Sequence, residues 1–370
     1  MATRKVSDSL AIEQRYAEDD RGISQERLDF LLPQIIDFVQ TKKWMNLQPE
    51  YQRRQVWDKK KQSLFIESLL MNLPIPPVFL FEPEYNRYEV MDGQQRLSSI
   101  VALYDNKLKL TGLESWGELN GKYWYELPEV IRRGLDRRRM SAVVLRGNQT
   151  EKDEELRRIV FERLNTGGQK LNAQELRNCI YSGPFAGLIE RLAGFTTFND
   201  LWEIPRYEDH YRNDRVDSTL AENSTFKRMQ DCELVLRFFA LRDKKNIKGS
   251  MKSILDDFME KNRNPGDDVL EDMAEAFESR ILLAQELLGD DAFKLRDKLS
   301  IPYYDSIIIA CDKEFGRGDE LVAQKARLQA KLERMAAIEE NHALITGKAN
   351  TADAIKSRLD LVQSVFASVL

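Results

Sequence analysis

The stretch RYEVMDGQQRLSSIVALY, Arg87–Tyr104, decides the fold. Tyr88 to Met91 reads as a short strand, and Leu97, Ile100, Val101 and Tyr104 recur at the spacing of one helix face. Between them stands Asp92-Gly93-Gln94-Gln95-Arg96. A strand that turns through glycine into a helix presents unpaired backbone N–H groups, with the positive end of the helix dipole behind them, and so favours anions. An arginine in the first turn makes phosphate the natural ligand.

Working outward, Val78 to Phe81 is a second strand candidate, joined to the first by turn chemistry at Pro83-Glu84-Tyr85-Asn86, which predicts an antiparallel hairpin. Met140 to Leu145 is a further strand of the same sheet, after a helix over Pro128 to Arg138 and an irregular aromatic stretch over residues 111–127. Upstream, Leu28, Leu31, Leu32, Ile35, Ile36 and Val39 predict a helix within Arg27 to Gln40, with Pro33 either kinking it or marking its first turn. Asp58 offers an N-cap for a helix over Gln62 to Met71, which the prolines at 74, 76 and 77 stop.

From Glu151 onward strand signals fade. A helix over Glu151 to Leu164 ends at Asn165-Thr166-Gly167-Gly168, and Asn172 with Glu175 forms a capping box for the next, running to Tyr181. Further helices are predicted over Pro184–Leu192, Thr225–Leu241, Ser250–Glu260, Asp268–Leu288, Ser300–Asp312, Asp319–Ala343 and Ala352–Ser368, with a loop between Thr196 and Asn223. The amphipathic stretch Glu320–Leu344 is expected to pack within this helical part. The expected architecture is α+β: a flexible arm over residues 1–24, a small mixed α/β domain over 25–150, and a mainly α-helical domain over 151–370.

Composition agrees with a soluble globular chain: 370 residues, 32% charged and 42% hydrophobic, too long for one ordinary core. No apolar run reaches the roughly 18 residues of a membrane helix, and a polar N-terminus lacks a signal-peptide core, so a cytoplasmic protein without membrane contact is expected. Cys179, Cys232 and Cys311 are scattered, as buried reduced thiols are. The net charge of −5 hides an asymmetry, since residues 31–146 hold 18 Lys+Arg against 14 Asp+Glu. A local basic face in an acidic chain suits a phosphate ligand or a limited DNA contact.

Several groups compete as chemistry-bearing residues. Asp92 can hold Mg²⁺ or orient a water, Gln94 and Gln95 can position that water, and Arg96 can neutralise phosphate oxygens; equally, Asp92 can cap the helix and Arg96 pair with a carboxylate. Gln52-Arg53-Arg54 beside Trp57 can bind phosphate and stack on a base, or merely flank a core tryptophan. Asn165 to Gly168 is a helix stop or an anion nest, and Arg137 to Arg139 reads as a solvated face. The chain has two histidines, His210 and His342, from which no histidine-dependent nuclease finger can be assembled, and no Walker P-loop.

In chain order, Gln52-Arg53-Arg54-Gln55-Val56-Trp57, Leu73-Pro74-Ile75-Pro76, Asp92-Gly93-Gln94-Gln95-Arg96-Leu97, and Phe161 to Gly168 with Leu171 and Glu175 form a series. Over roughly residues 28–180 this series resembles the N-terminal domain of GmrSD-type restriction endonucleases, a family with a ParB/sulfiredoxin-like fold. The resemblance implies binding and Mg²⁺-dependent hydrolysis of a nucleoside triphosphate in a system that restricts modified phage DNA. Asp92, Gln94 and Gln95 would be the catalytic residues and Asp92 the metal ligand. Gln52, Arg53, Arg54, Gly93, Arg96 and Asn165 would hold the nucleotide; Gly93-Gln94-Gln95-Arg96 matches the wider group's phosphate-contacting G-x-x-R box. Without nuclease histidines, the implied role is the nucleotide-handling or sensing half, with DNA and a separate effector or nuclease protein as expected partners. The alternative is a non-catalytic module that grips DNA or a protein with the same basic face.

Overall fold

The computed structural model describes residues 24–47, 57–146, 159–160, 172–181, 183–207, 218–347 and 351–370. The expected arm before Ser24, the Gln52-Arg53-Arg54 segment, most of the helix expected over Glu151–Leu164, and Asn165–Gly168 lie outside the described residues. The described residues divide into two compact units, one drawn from residues up to 170 and one from 171 onward. A mixed α/β region is thus followed by a predominantly helical one, as the pattern predicts.

The first unit is built on a five-stranded sheet of order β1-β5-β3-β4-β2. Its elements are β1 (Ser24–Leu31), α1 (Leu32–Ile36), β2 (Met45–Asn46), α2 (Lys59–Leu70), β3 (Val78–Glu84), β4 (Arg87–Asp92), α3 (Gln94–Tyr104), α4 (Glu129–Asp136) and β5 (Arg139–Arg146). The β3–β4 hairpin is antiparallel, closed by Asn86 at φ 59°, while β3–β5 and β2–β4 are parallel. Alternating Val78 and Leu80, Tyr88 and Val90, and Met140, Ala142 and Val144 reach one core with Leu97, Ile100 and Leu103 of α3. Asp58 accepts from the Lys61 amide at 2.8 Å as the N-cap of α2, a contribution of about 1 kcal/mol.

One expectation fails here. The helix predicted over Arg27–Gln40 is a strand to Leu31, one short helix, and a π-type turn over Asp37–Thr41. Leu28, Leu31 and Leu32 fit a helical period, but Leu28 and Phe30 also alternate with Arg27 and Asp29. Eight residue pairs with β5 select the strand. Pro33 falls in the first turn of α1, where its missing N–H costs nothing.

In the second unit the helices of eight or more residues are α5 (Ala173–Ile180), α6 (Pro184–Ala193), α7 (Gln230–Leu241), α8 (Met251–Lys261), α9 (Asp267–Leu288), α10 (Ile301–Lys313), α11 (Lys325–Ala337) and α12 (Ala352–Ala367). Two long predicted helices are broken. Met229 at φ 51° separates Ser224–Lys227 from α7, and Asp319–Ala343 is three pieces hinged near Gln324 and Ile338. Each break re-aims apolar side chains, so that Leu321, Leu328, Leu332, Met335 and Ile345 all reach the core, which is the internal packing expected of that stretch. The predicted loop Thr196–Asn223 holds short helices at Thr196–Leu201 and Ser218–Glu222, the first burying Phe198 and Leu201. A two-stranded ribbon, β6 (Lys294–Leu295) and β7 (Lys298–Leu299), stands before α10. Cys232 and Cys311 are buried. Among the described residues no helix is long and apolar enough to cross a membrane.

Candidate functional site

The turn from β4 into α3 requires its glycine. Gly93 sits at φ 95°, ψ 9° in the N-cap position of α3, and a Cβ there would come within 2.4 Å of Val78 Cγ1. The N-cap is therefore Gly93 and not Asp92, and it offers no side chain to the first amides of the helix. Behind the turn, Leu97, Ile100 and Leu103 anchor α3 in the core. At its far end Tyr104 stacks on Trp124 at 4.0 Å between centroids and donates to Asp136 at 2.8 Å.

Arg96 folds back over the turn. Its Nη2 donates to Asp92 Oδ2 at 2.8 Å, and its Nη1 donates to the carbonyls of Pro76 and Pro77 in the loop before β3. The Arg96 side chain is 13% exposed and that of Asp92 is 47% exposed. Burial lowers the Arg96 pKa and the Asp92 carboxylate opposes the fall, leaving a charged guanidinium under all ordinary conditions. Nε and the second Nη2 proton have no acceptor among the described residues, so two donors remain for a ligand.

The two glutamines reach the other way. Gln94 Nε2 donates to the Leu47 carbonyl at 2.8 Å, and Gln95 Oε1 accepts from the Trp57 amide at 2.8 Å. Trp57 is held further by Gln62, which donates to its carbonyl at 2.8 Å, and by the edge of Phe65 at 5.8 Å. Neighbouring residues of one motif thus fix the two described residues that flank positions 48–56, the segment carrying Gln52, Arg53 and Arg54. The structure brings Asp92, Gly93, Gln94, Gln95 and Arg96 together and ties them to Leu47 and Trp57.

Of the Arg137–Arg139 run, the outer two are exposed, whereas Arg138 turns inward and donates to the Leu70 carbonyl at 2.8 Å, at the end of α2. Glu175, in the last motif, is 3% exposed and accepts from the Asn172 amide at 2.6 Å as half of the capping box of α5.

Two features escape the sequence. Pro76 and Pro77 supply the carbonyls that seat Arg96; a run of prolines leaves carbonyls unpaired, a signal legible only with hindsight. A cavity of about 580 Å³ lies beside α3, lined among others by Met45, Leu47, Ser98, Val101, Ala102 and Asp105. Ser98, Val101, Ala102 and Asp105 share a helix face with Gln94, the face opposite Arg96.

Asp92 is the one carboxylate of the turn, and among the described residues no cluster of three or more His, Cys, Asp or Glu side chains could hold a metal. Such a donor set fits Mg²⁺ where substrate phosphates and water complete the octahedron, and does not fit a resident metal held by protein alone.

Residues 34–182 match the family described as GmrSD restriction endonuclease, N-terminal domain. The matched region spans the whole Asp92–Arg96 turn and extends into α5. No curated protein and no solved structure matches the chain.

Proposed function

We propose that the Asp92–Arg96 turn binds and hydrolyses a nucleoside triphosphate, within a restriction system that senses modified DNA and acts through a separate effector or nuclease. The observation that carries this is the pairing of Gln94 with Leu47 and Gln95 with Trp57. Leu47 and Trp57, which flank the stretch bearing Gln52, Arg53 and Arg54 in sequence, both bond to the turn that bears Arg96. Arg53 and Arg54 of that segment would then join Arg96 on one polyphosphate.

In this reading Arg96 uses its two remaining donors, and Arg53 and Arg54 add charge, with Gln52 and Asn165 as further polar contacts. Gly93 lets phosphate oxygens approach the uncapped amides of α3. Asp92 is the carboxylate for Mg²⁺, which would offset phosphate charge and polarise the attacking water. Gln94 and Gln95 position the arginine segment and, through it, the water. The resemblance at residues 34–182 supports the restriction setting.

The test is a panel of labelled triphosphates with Mg²⁺, comparing wild type with Arg96→Ala, Asp92→Ala and Gln94→Ala. Arg96→Ala is expected to weaken binding at least tenfold, and Asp92→Ala to remove turnover with binding partly retained. If no triphosphate binds, or the variants turn over like wild type, the proposal fails. Affinity for DNA that falls steeply with salt and ignores triphosphate would establish the non-catalytic DNA-gripping alternative instead.

A further inference from the structure

The helical unit holds a cavity of its own, of about 640 Å³, within the size range of small-molecule sites. Its apolar lining comes from Leu288, Ala292, Leu295, Leu332, Ala336 and Ala337. The small side chains at 336 and 337, on the face of α11 that Leu332 shares, leave the space open. Tyr303, on the first turn of α10, lines it as well and is 7% exposed. Burial pushes its phenol up to about 12.

The Tyr303 hydroxyl has no hydrogen-bond partner among the described residues, unlike its neighbour Tyr304, whose hydroxyl donates to the Leu234 carbonyl at 3.0 Å. The Tyr303 hydroxyl is not sealed from solvent, and on a residue that lines the open cavity it is available to a ligand's polar edge.

Four charged residues line the cavity. Lys294 is committed to Glu203 at 2.9 Å and to Asp291 at 3.0 Å. Arg296 and Glu333 are exposed and make no ion pair among the described residues. Arg296 is held at φ 51° on the tip of the β6–β7 ribbon, and Glu333 stands on α11 one turn before its C-terminus, where the helix dipole favours a cation. A ligand matching these groups carries an anion for Arg296, a cation for Glu333, an apolar body, and a polar edge for Tyr303.

We infer that this cavity binds a small zwitterion with a large apolar body, the class of a free aromatic amino acid. The carboxylate pairs with Arg296, the ammonium group with Glu333, and the ring lies over Leu295, Leu332 and Ala336. The site is independent of the nucleotide reading of the first unit.

Calorimetric titration of the full chain with L-tryptophan, N-acetyl-L-tryptophan and L-tryptophanamide tests it. L-Tryptophan is expected to saturate one site per chain. Arg296→Gln should weaken L-tryptophan and its N-acetyl form about tenfold but leave the amide unchanged. Glu333→Gln should weaken L-tryptophan and the amide but leave the N-acetyl form unchanged. Ala336→Phe, which fills the cavity, should abolish all three; if that variant does not fold, the two charge variants decide. No saturable heat with L-tryptophan, or affinities that neither charge substitution changes, overturns the inference.

Discussion

Two arginine–aspartate pairs, Arg96–Asp92 in the α/β unit and Arg237–Asp305 in the helical unit, use the same chemistry in opposite surroundings. Asp305 is wholly buried, is gripped by both Nε and Nη2 of Arg237, and lies 3.6 Å from Nη2 of Arg358, itself 0% exposed. Asp92 stands half in solvent and shares its arginine with two loop carbonyls. In the core, Asp305 gives both carboxylate oxygens to Arg237, because an unpaired charge there is costly. At the turn, solvent can replace a lost partner, so the same side chains are available to a ligand. Sequence spacing cannot separate the two cases; burial does.

The comparison is sharpest at Asp305. Asp305→Ala leaves two buried guanidiniums without their shared carboxylate, and a loss of about 3–5 kcal/mol is expected in denaturant unfolding of the full chain. Gly93→Ala comes next: the positive φ and the contact with Val78 Cγ1 predict a loss of about 2–3 kcal/mol, together with loss of triphosphate binding. Binding lost with unchanged stability would show that the turn relaxes around a Cβ.

Glu67 tests a third situation, a buried carboxylate bonded to backbone. It accepts from the amides of Glu114, Ser115 and Trp116 at 3.2, 2.7 and 2.8 Å and so ties down the irregular segment after α3. Burial raises its pKa, but the three amides together outweigh burial and hold it below the ordinary value of 4.5. A depressed carboxylate contributes stability that is present above the unfolded pKa and lost as pH falls through the folded one. Glu67→Gln is therefore expected to cost roughly 1–2 kcal/mol at pH 7, and the gap to wild type should close as pH falls below 4.5. Parallel melting curves at pH 7 and pH 3 check this, and a gap that persists in acid refutes it.

Asp92→Asn should have the smallest effect on stability, under about 1 kcal/mol, as for other solvent-screened pairs. Its effect on triphosphate turnover should be the larger one. A melting loss approaching that of Asp305→Ala would break the comparison and make the Asp92–Arg96 pair a structural element.

Much of the fold was legible where local signals agree with tertiary demands. The β3–β4 hairpin, β5, the Asp58 cap, the Asn172–Glu175 box and most long helices stand where periodicity and caps put them. The errors lie where two periods fit one string, as in Leu28–Leu32, or where a helix bends to follow the core, as at Met229 and Ile338. The candidate site was legible as a strand–glycine–helix turn that brings Asp92, Gln94, Gln95 and Arg96 together. Its wiring was not: nothing local links Gln94 to Leu47, Gln95 to Trp57, or Arg96 to Pro76, because those partners are backbone groups of no distinctive residue type.

The sequence by itself determined the strand–glycine–helix turn, since only glycine accepts that backbone and the apolar spacing on either side selects strand and helix. It also determined the change from mixed to helical structure along the chain. Tertiary structure alone decided the strand identity of Ser24–Leu31, the inward seat of Arg96, and the joining of the Gln94–Gln95 pair to both flanks of residues 48–56. The physical reason is common to all three. Each depends on a hydrogen-bond partner roughly twenty or more residues away, and a partner at that distance enters the energy only when the chain has folded to bring it near.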